Sequence, residues 1–188
     1  FEGHDHRSPA LLQSLLEKEV QVRVAGADFR AQTPSGEVDF AKGSIVIPAA
    51  IKQPQDLLKL LSVYAKQLNI KVQTITSGLT TEGIDLGSRK FAKIDKPEVL
   101  LIGGSGTSSY EVGEIWHYLD TQLGVPATLW DLDELGSRSL DRYSHIIFAS
   151  GNYSSVDDKV VNKIDDWVNE GGVLIGQKSA VSWFAENQ

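Results

Sequence analysis

The stretch Pro97-Glu98-Val99-Leu100-Leu101-Ile102-Gly103-Gly104-Ser105-Gly106 joins a short apolar run to a glycine-rich turn, and a long amphipathic segment follows it. This pattern predicts a β-strand that leads into a helix. Because every residue from Val99 to Ile102 is apolar, we expect a parallel strand that is buried on both faces. Open α/β sheets bind ligands at the carboxyl ends of such strands, so the glycine-rich turn is a candidate binding loop.

Downstream of this strand, apolar runs alternate with amphipathic helical segments. We predict strands at 99–102, 127–130, 145–149 and 173–175, helices at 109–123, 156–169 and from 180 onward, and a helical turn at 132–135. Strands that alternate with helices are joined as parallel strands by right-handed crossovers. The second half of the chain is therefore expected to form a mostly parallel sheet flanked by helices.

The first ninety residues have a different pattern, in which hairpin-like strands lie between two helices. We predict helices at 8–18 and from 53, strands at 20–24, 38–40, 44–47 and 70–75, and a long turn-rich connection at 80–94. The fold class is thus α/β, with an N-terminal α/β unit at 1–94 and a mostly parallel unit at 95–188. The pattern leaves open whether the two units pack as one domain.

Composition narrows the possible partners of this 188-residue chain. The formal net charge is −7, and no run of lysine or arginine is present, so we expect no binding to nucleic acid. No stretch reaches the roughly 18 continuous apolar residues that a membrane span requires. With 41% hydrophobic residues the chain can bury an ordinary core, and we expect a soluble globular protein of unknown oligomeric state.

The chain contains neither cysteine nor methionine. Disulfides, thiolate nucleophiles and cysteine-bound metals are therefore absent from it. Because it begins at Phe1 without an initiator methionine, we expect a fragment of a longer protein or a processed product. Its localisation is not indicated by the sequence, and would be periplasmic or secreted if a parent protein carries a signal peptide.

Two loops at the same predicted sheet edge are the candidate ligand-binding residues. The first loop follows strand 99–102 and the second follows strand 145–149, and their residues are Gly103, Gly104, Ser105, Gly106, Thr107, Gly151, Asn152 and Tyr153. Backbone amides in such a turn can bind a phosphate or carboxylate. The turn lacks a P-loop lysine and a complete dinucleotide fingerprint, so a purely structural strand-to-helix turn is the alternative.

No combination of residues predicts a catalytic or metal site in this chain. His4 and His6 lie in a polar terminal segment, and His117 completes a single Glu-x-x-His pattern in a predicted helix. A di-iron site of that kind needs a second copy on another helix. Ser179 follows a strand in the manner of a nucleophile elbow, but no histidine follows it to serve as base. We therefore predict no catalytic residues, no metal ligands and no cofactor within 1–188.

Five segments carry a resemblance to a known family. They are Gly43-Ser-Ile-Val-Ile-Pro48, Gly83-Ile-Asp-Leu-Gly-Ser88, Gly113-Glu-Ile-Trp-His-Tyr-Leu-Asp120, the run from Tyr143 to Gly151, and Gly171-Gly-Val-Leu-Ile175. Together they resemble the carboxyl-terminal region of large bacterial M14-type zinc carboxypeptidase proteins. That region carries a domain similar to the class I glutamine amidotransferase fold, which is flavodoxin-like.

The resemblance implies a domain without amidotransferase chemistry. In active amidotransferases a cysteine occupies the strand-to-helix turn, and the matching position here is Lys178. The zinc site of M14 peptidases uses His-x-x-Glu, and no histidine in this chain is followed three residues later by glutamate. The resemblance therefore implies a non-catalytic accessory domain, whose parent holds zinc elsewhere and hydrolyses peptides from the carboxyl terminus. Its partner would be the catalytic domain of the same polypeptide.

The alternative expectation is a small-molecule or anion-binding module of flavodoxin-like fold. In that case a ligand would occupy the loops at 103–107 and 151–153.

Overall fold

The computed structural model describes residues 1–187 and separates the chain into two units, Phe1–Lys96 and a second unit that begins at Pro97. The sequence places this boundary between residues 94 and 95. The helices and strands of the first unit are α1 (Ser8–Leu16), β1 (Val22–Ala25), β2 (Phe29–Thr33), β3 (Gly36–Phe40), β4 (Ile45–Val46), α2 (Leu57–Gln67), β5 (Glu82–Gly83) and β6 (Phe91–Ile94).

The strands of the first unit form two antiparallel sheets of three strands each, in the orders β4-β1-β6 and β3-β2-β5. In the first sheet Val24 lies opposite Ala92, and in the second Phe29 lies opposite Phe40. The rings of Phe29 and Phe40 stack with their centroids 4.9 Å apart. Cross-strand aromatic pairs of this kind stabilise a sheet, and this one anchors β2 to β3.

Three details of the first unit differ from the sequence-based expectation. The predicted strand at 70–75 is wrong: these residues pair with no strand, and the next residue, Thr76, donates its amide to the carbonyl oxygen of Gln32 in β2 at 3.0 Å. Conversely, Phe91–Ile94 lies inside the predicted connection yet pairs with β1. The pattern missed it because only Phe91 of this strand is buried. The N-cap of α1 is Arg7 and not Ser8, whose hydroxyl instead donates to the carbonyl oxygen of Glu2 at 2.5 Å.

The second unit contains a four-stranded parallel sheet flanked by helices, as the sequence predicts. Its elements are β7 (Val99–Gly103), α3 (Ser109–His117), a π-helical turn (Tyr118–Leu123), β8 (Ala127–Asp131), a 3-10 helix (Leu132–Gly136), β9 (His145–Phe148), α4 (Asp158–Asn169), β10 (Val173–Gly176) and α5 (Ser179–Glu186). The strand order is β10-β9-β7-β8, which is compatible with a flavodoxin-like sheet. Every residue of β7 is buried, because this central strand is covered on both faces.

Two apolar layers cover the faces of this sheet. Residues of α4, α5 and the 3-10 helix pack on one face, and residues of α3 pack on the other. The helix predicted at 109–123 begins as α3 at Ser109 and changes to the π-helical turn after His117; Gly124 then ends it in a left-handed conformation. No helix within residues 1–187 is long and apolar enough to cross a membrane.

Candidate functional site

The two predicted loops meet at the carboxyl edge of the parallel sheet. β8 and β9 lie on opposite sides of β7, so the connections that leave β7 and β9 run in different directions across the sheet. A crevice opens at such a reversal in α/β folds, and ligands commonly bind there. We use the term rim for the set of groups at this edge: the loops 103–107 and 150–153, Glu111 on α3, Asp131 at the end of β8, and Lys178 and Ser179 at the start of α5.

The structure brings the two loops into direct contact. Thr107 and Gly151 form an isolated antiparallel bridge. The amide of Asn152 donates to the carbonyl oxygen of Gly106 at 2.8 Å, and the amide of Ser108 donates to that of Ser150, also at 2.8 Å. The crevice between β7 and β9 is therefore crossed by protein backbone.

The glycines of the rim allow this close approach. A Cβ atom on Gly151 would lie 2.8 Å from the carbonyl oxygen of Gly106, which is too short for a real contact. Gly104 has a φ of +80°, a conformation that side chains with a Cβ disfavour. The loop-to-loop contact is thus a sufficient reason for glycine at these positions, independent of any ligand.

The side chain of Tyr153 is buried, whereas that of Asn152 is exposed. The ring of Tyr153 is buried and stacks on Trp183 with centroids 5.1 Å apart, while its hydroxyl donates to the carbonyl oxygen of Ala149. Burial, together with the charge of Glu111, raises the pKa of Tyr153 to about 12. Asn152 is exposed, and its Oδ1 accepts from the amide of Ser154 at 3.0 Å. Tyr153 therefore packs in the core.

An ion pair between Glu111 and Lys178 lies across the rim. One carboxylate oxygen of Glu111 accepts from the amide of Ser150 at 2.9 Å, and the other pairs with the Lys178 ammonium. The side chain of Glu111 is only 13% exposed. The hydrogen bond from Lys178, and then that from Ser150, hold the pKa of Glu111 below its ordinary value. By the same contact Glu111 raises the pKa of Lys178, which keeps the amine protonated.

The sequence alone does not identify Glu111 as a rim residue. The available signal was Ser108-Ser-Tyr-Glu111, which has the S-x-x-E pattern of a helix capping box. Ser108 is indeed the N-cap of α3, and its hydroxyl accepts from the amide of Glu111 at 3.5 Å. The carboxylate of Glu111, however, binds Ser150 and Lys178. The pattern locates the helix start and cannot reveal these two distant partners.

Lys178 has an unusual backbone conformation for a residue with a side chain. Its φ is 48° and its ψ is −114°, at the turn between β10 and α5. Such sparsely populated conformations cost on the order of 1–3 kcal/mol and cluster at functional sites. A strand-to-helix turn that holds one residue in this way is the geometry of a nucleophile elbow. The residue held there is a protonated lysine.

Ser179, the residue after this turn, is fully engaged by the loop that follows β9. Its hydroxyl accepts from the amide of Gly151 at 2.8 Å and lies 2.8 Å from the carbonyl oxygen of Gly151. Its Oγ also lies 3.0 Å from that of Ser150. The hydroxyl therefore acts as a bridge between α5 and the loop after β9.

No histidine of the second unit lies near Ser179. His145 is the first residue of β9, at the edge of the sheet opposite the rim, and burial lowers its pKa. Its Nδ1 lies 2.8 Å from the hydroxyl of Ser144. His117 lies in the last turn of α3, and the N-terminus of that helix is at the rim. The serine-and-base arrangement needed for a hydrolase is therefore not assembled here.

Two backbone amides at the rim remain available to a ligand. Neither Ser105 nor Gly106 donates its N–H to any group in residues 1–187. The carboxylate of Asp131 lies against Gly104, where a Cβ would be 2.5 Å from Asp131 Oδ1. This carboxylate also caps the following 3-10 helix. An anion at these amides would therefore approach a fixed negative charge.

The histidines of the first unit lie near carboxylates in pairs only. His4 Nδ1 is 3.5 Å from Glu2, and His6 Nδ1 is 3.6 Å from Asp5. Within residues 1–187 no group of three or more histidine, aspartate or glutamate side chains is positioned to hold a metal ion.

Comparison of this chain with protein-family models, with curated proteins and with solved structures finds no match. The geometry of the rim is therefore the basis for a functional proposal.

Proposed function

We propose that this chain is a non-catalytic accessory domain of a zinc-carboxypeptidase-like protein, and that its second unit is an amidotransferase-like domain without a nucleophile. One observation carries the second part of the proposal. At the turn that holds a reactive residue in active amidotransferases, Lys178 adopts the elbow conformation, and its ammonium forms an ion pair with Glu111. The amine is protonated, and a protonated amine is not a nucleophile.

The other rim groups support the same proposal. The hydroxyl of Ser179 binds the backbone of Gly151, and the hydroxyl of Ser150 lies 3.0 Å from that of Ser179, so both hydroxyls have partners within the rim. The loops after β7 and β9 are joined by backbone hydrogen bonds. In this arrangement the polar groups of the rim stabilise one another. The domain would then contribute a packed surface to its parent protein, while the parent's zinc site and peptide hydrolysis reside outside residues 1–188.

Activity measurements on this chain and on its parent test the proposal. The chain itself is expected to hydrolyse neither glutamine nor peptide carboxyl termini, and borohydride is expected to trap no Schiff base at Lys178 with an aldehyde substrate. The parent reading frame is expected to encode a His-x-x-Glu motif, and the parent protein to show carboxypeptidase activity that a chelator removes. Turnover by the chain alone, or a parent without that motif, would contradict the proposal.

The alternative proposal is an anion-binding module, and the unpaired amides of Ser105 and Gly106 favour it. They precede the N-terminus of α3, where the helix dipole favours negative charge. A thermal-shift titration with inorganic phosphate, flavin mononucleotide and a sugar phosphate separates the two proposals. The accessory-domain proposal expects no rise in Tm, whereas a ligand that binds the native state must raise it. A rise in Tm with any of these three ligands would favour the anion-binding proposal.

A further inference from the structure

A cavity of about 600 Å³ lies within the first unit. This volume is in the range of known small-molecule sites, which are typically apolar with a few polar groups that orient the ligand. The wall is formed by residues of β4, of helix α2 and of the extended segment 72–78. Its apolar side chains include Phe40, Ile45, Ile47, Leu57, Leu61 and Ile75.

Arg23 is the only charged side chain among the described residues that line this cavity; Phe1 also lines it, and its terminal ammonium donates to the carbonyl oxygen of Ile45 at 3.0 Å. No aspartate, glutamate or lysine of residues 1–187 contributes to the wall, and Arg23 forms no ion pair with a carboxylate in that part of the chain. One guanidinium nitrogen donates to the carbonyl oxygen of Phe91 at 3.2 Å. A guanidinium has five N–H donors, so the donors of Arg23 that do not bind Phe91 have no partner in residues 1–187.

The strand β1 fixes the position of Arg23. Its neighbours Val22 and Val24 pack in the apolar cluster of α1 and α2, so Arg23 projects from the other face of the sheet, where the cavity residues Phe40, Val46 and Ile75 belong to a second apolar cluster. Its cross-strand partner Val46 also lines the cavity. The guanidinium is partly buried and is held by the Phe91 carbonyl. The planar guanidinium carries its N–H donors in a fixed fork, which matches the geometry of a planar anion.

We propose that this cavity binds a small amphipathic monocarboxylate, with its carboxylate on Arg23 and its hydrocarbon body against the apolar wall. The planar guanidinium matches a carboxylate through two parallel hydrogen bonds, and such charge-assisted pairs are the stronger ones. A single arginine neutralises one negative charge. A dianionic phosphate is more strongly hydrated than a monocarboxylate, so its transfer into an apolar cavity costs more free energy. This binding site is separate from the rim and does not depend on the proposed accessory role.

Calorimetric titration of the whole chain with decanoate, below its micelle concentration, tests this proposal against decan-1-ol, which has the same hydrocarbon body without the charge. Decanoate is expected to bind more tightly than decanol. Arg23→Gln is expected to weaken decanoate binding by about tenfold or more and to leave decanol binding unchanged, because it removes only the charged partner. Arg89→Gln is the matched control, since Arg89 is exposed and does not line the cavity, and it is expected to change neither affinity.

A second variant keeps the test decisive if Arg23→Gln does not fold, as judged by circular dichroism. Ala50 is exposed and lines the cavity, so Ala50→Trp should reduce the space available without removing a buried group. It is expected to weaken both ligands. The proposal is overturned if decanoate fails to bind at millimolar concentration, if decanol binds equally well, or if both variants bind decanoate like the unsubstituted chain.

Discussion

The two units differ in whether their charged side chains have partners within the same unit. At the rim of the second unit, Glu111, Lys178 and Ser179 are bound by other groups of the same unit. In the cavity of the first unit, Arg23 faces apolar walls and has no carboxylate partner in residues 1–187. The carboxyl edge of the parallel sheet, where α/β folds commonly bind ligands, is therefore a region whose charged side chains Glu111 and Lys178 already pair with each other. The arginine without a carboxylate partner in residues 1–187 lies in the antiparallel unit.

The two units also differ in packing, and the second unit is the more closely packed. Every residue of β7 is buried, because helices cover both faces of the parallel sheet. From residue 46 to residue 90 no residue is buried, and α2 lies on its sheet with Leu58 81% exposed. A segment with few buried apolar contacts contributes little to stability and opens readily. Such a segment can admit a ligand where a close-packed core cannot.

Phe148→Ala in the second unit is expected to have the largest effect on stability. Phe148 is fully buried and contacts the rings of Tyr153 and Phe184, with centroids 5.6 and 5.4 Å away. Its removal leaves a cavity and should lower the free energy of unfolding by about 3–5 kcal/mol. Urea denaturation measures this change.

The matched change in the first unit is Leu58→Ala, which we expect to alter the free energy of unfolding by no more than about 0.5 kcal/mol because the side chain is exposed. If Phe148→Ala and Leu58→Ala lower the free energy of unfolding equally, the two regions are packed alike.

Gly172→Ala tests close packing by adding an atom. A Cβ at this position would overlap the buried indole of Trp167, whose Nε1 donates to the carbonyl oxygen of Tyr143 at 3.1 Å. The indole must move, so we expect a loss of about 1–3 kcal/mol in thermal or chemical unfolding. Gly87→Ala is the counterpart in the loosely packed segment, where a Cβ meets nothing within 4 Å. That change is expected to be neutral or stabilising, and a comparable loss there would contradict the packing difference.

The sequence predicted the parallel sheet well because its signal is local. A continuous apolar run such as 99–102 identifies a strand buried on both faces without knowledge of its partners. Strand pairing in the first unit is not local in this sense. The run 70–75 resembles a strand but pairs with none, whereas Phe91–Ile94 has a weak pattern and pairs with β1.

The candidate site shows the same division between local and distant information. The glycine loops at 103–107 and 151–153 are visible in the sequence, and the structure places them side by side. Their mutual contact, and the pairing of Glu111 with Lys178 across 67 positions, depend on the folded chain. Arg23 could not be selected from sequence either, because what distinguishes it is the absence of carboxylates around it in space.

Lys178 allows the strain at the rim to be measured separately from its ion pair. Lys178→Ala and Lys178→Gly both remove the contact with Glu111, but only glycine adopts the observed conformation without a steric cost. The glycine variant is therefore expected to be more stable than the alanine variant by about 1–2 kcal/mol in urea denaturation. Equal stability of the two variants would show that the turn changes conformation when Lys178 is replaced, and that the rim is not rigid at this position.

The smallest expected effect comes from the charge of Glu111. Its pKa is held below the ordinary value by Lys178 and Ser150, so the ionised form stabilises the folded state. That contribution is present above the ordinary glutamate pKa, about 4.3, and is lost as the pH falls through the lower pKa of the folded state.

Glu111→Gln should therefore be less stable than the unsubstituted chain at pH 7, with the difference shrinking below about pH 4. Because Lys178 is 72% exposed, added salt should reduce the difference as well. Asp141→Asn, on an exposed turn, provides a control in which one carboxylate is lost without a rim partner. If the two variants show the same pH dependence of unfolding, the ion pair does not hold the rim together. The rim would then be held together by the backbone bridge between its two loops and by the hydrogen bonds of Ser179 to Gly151.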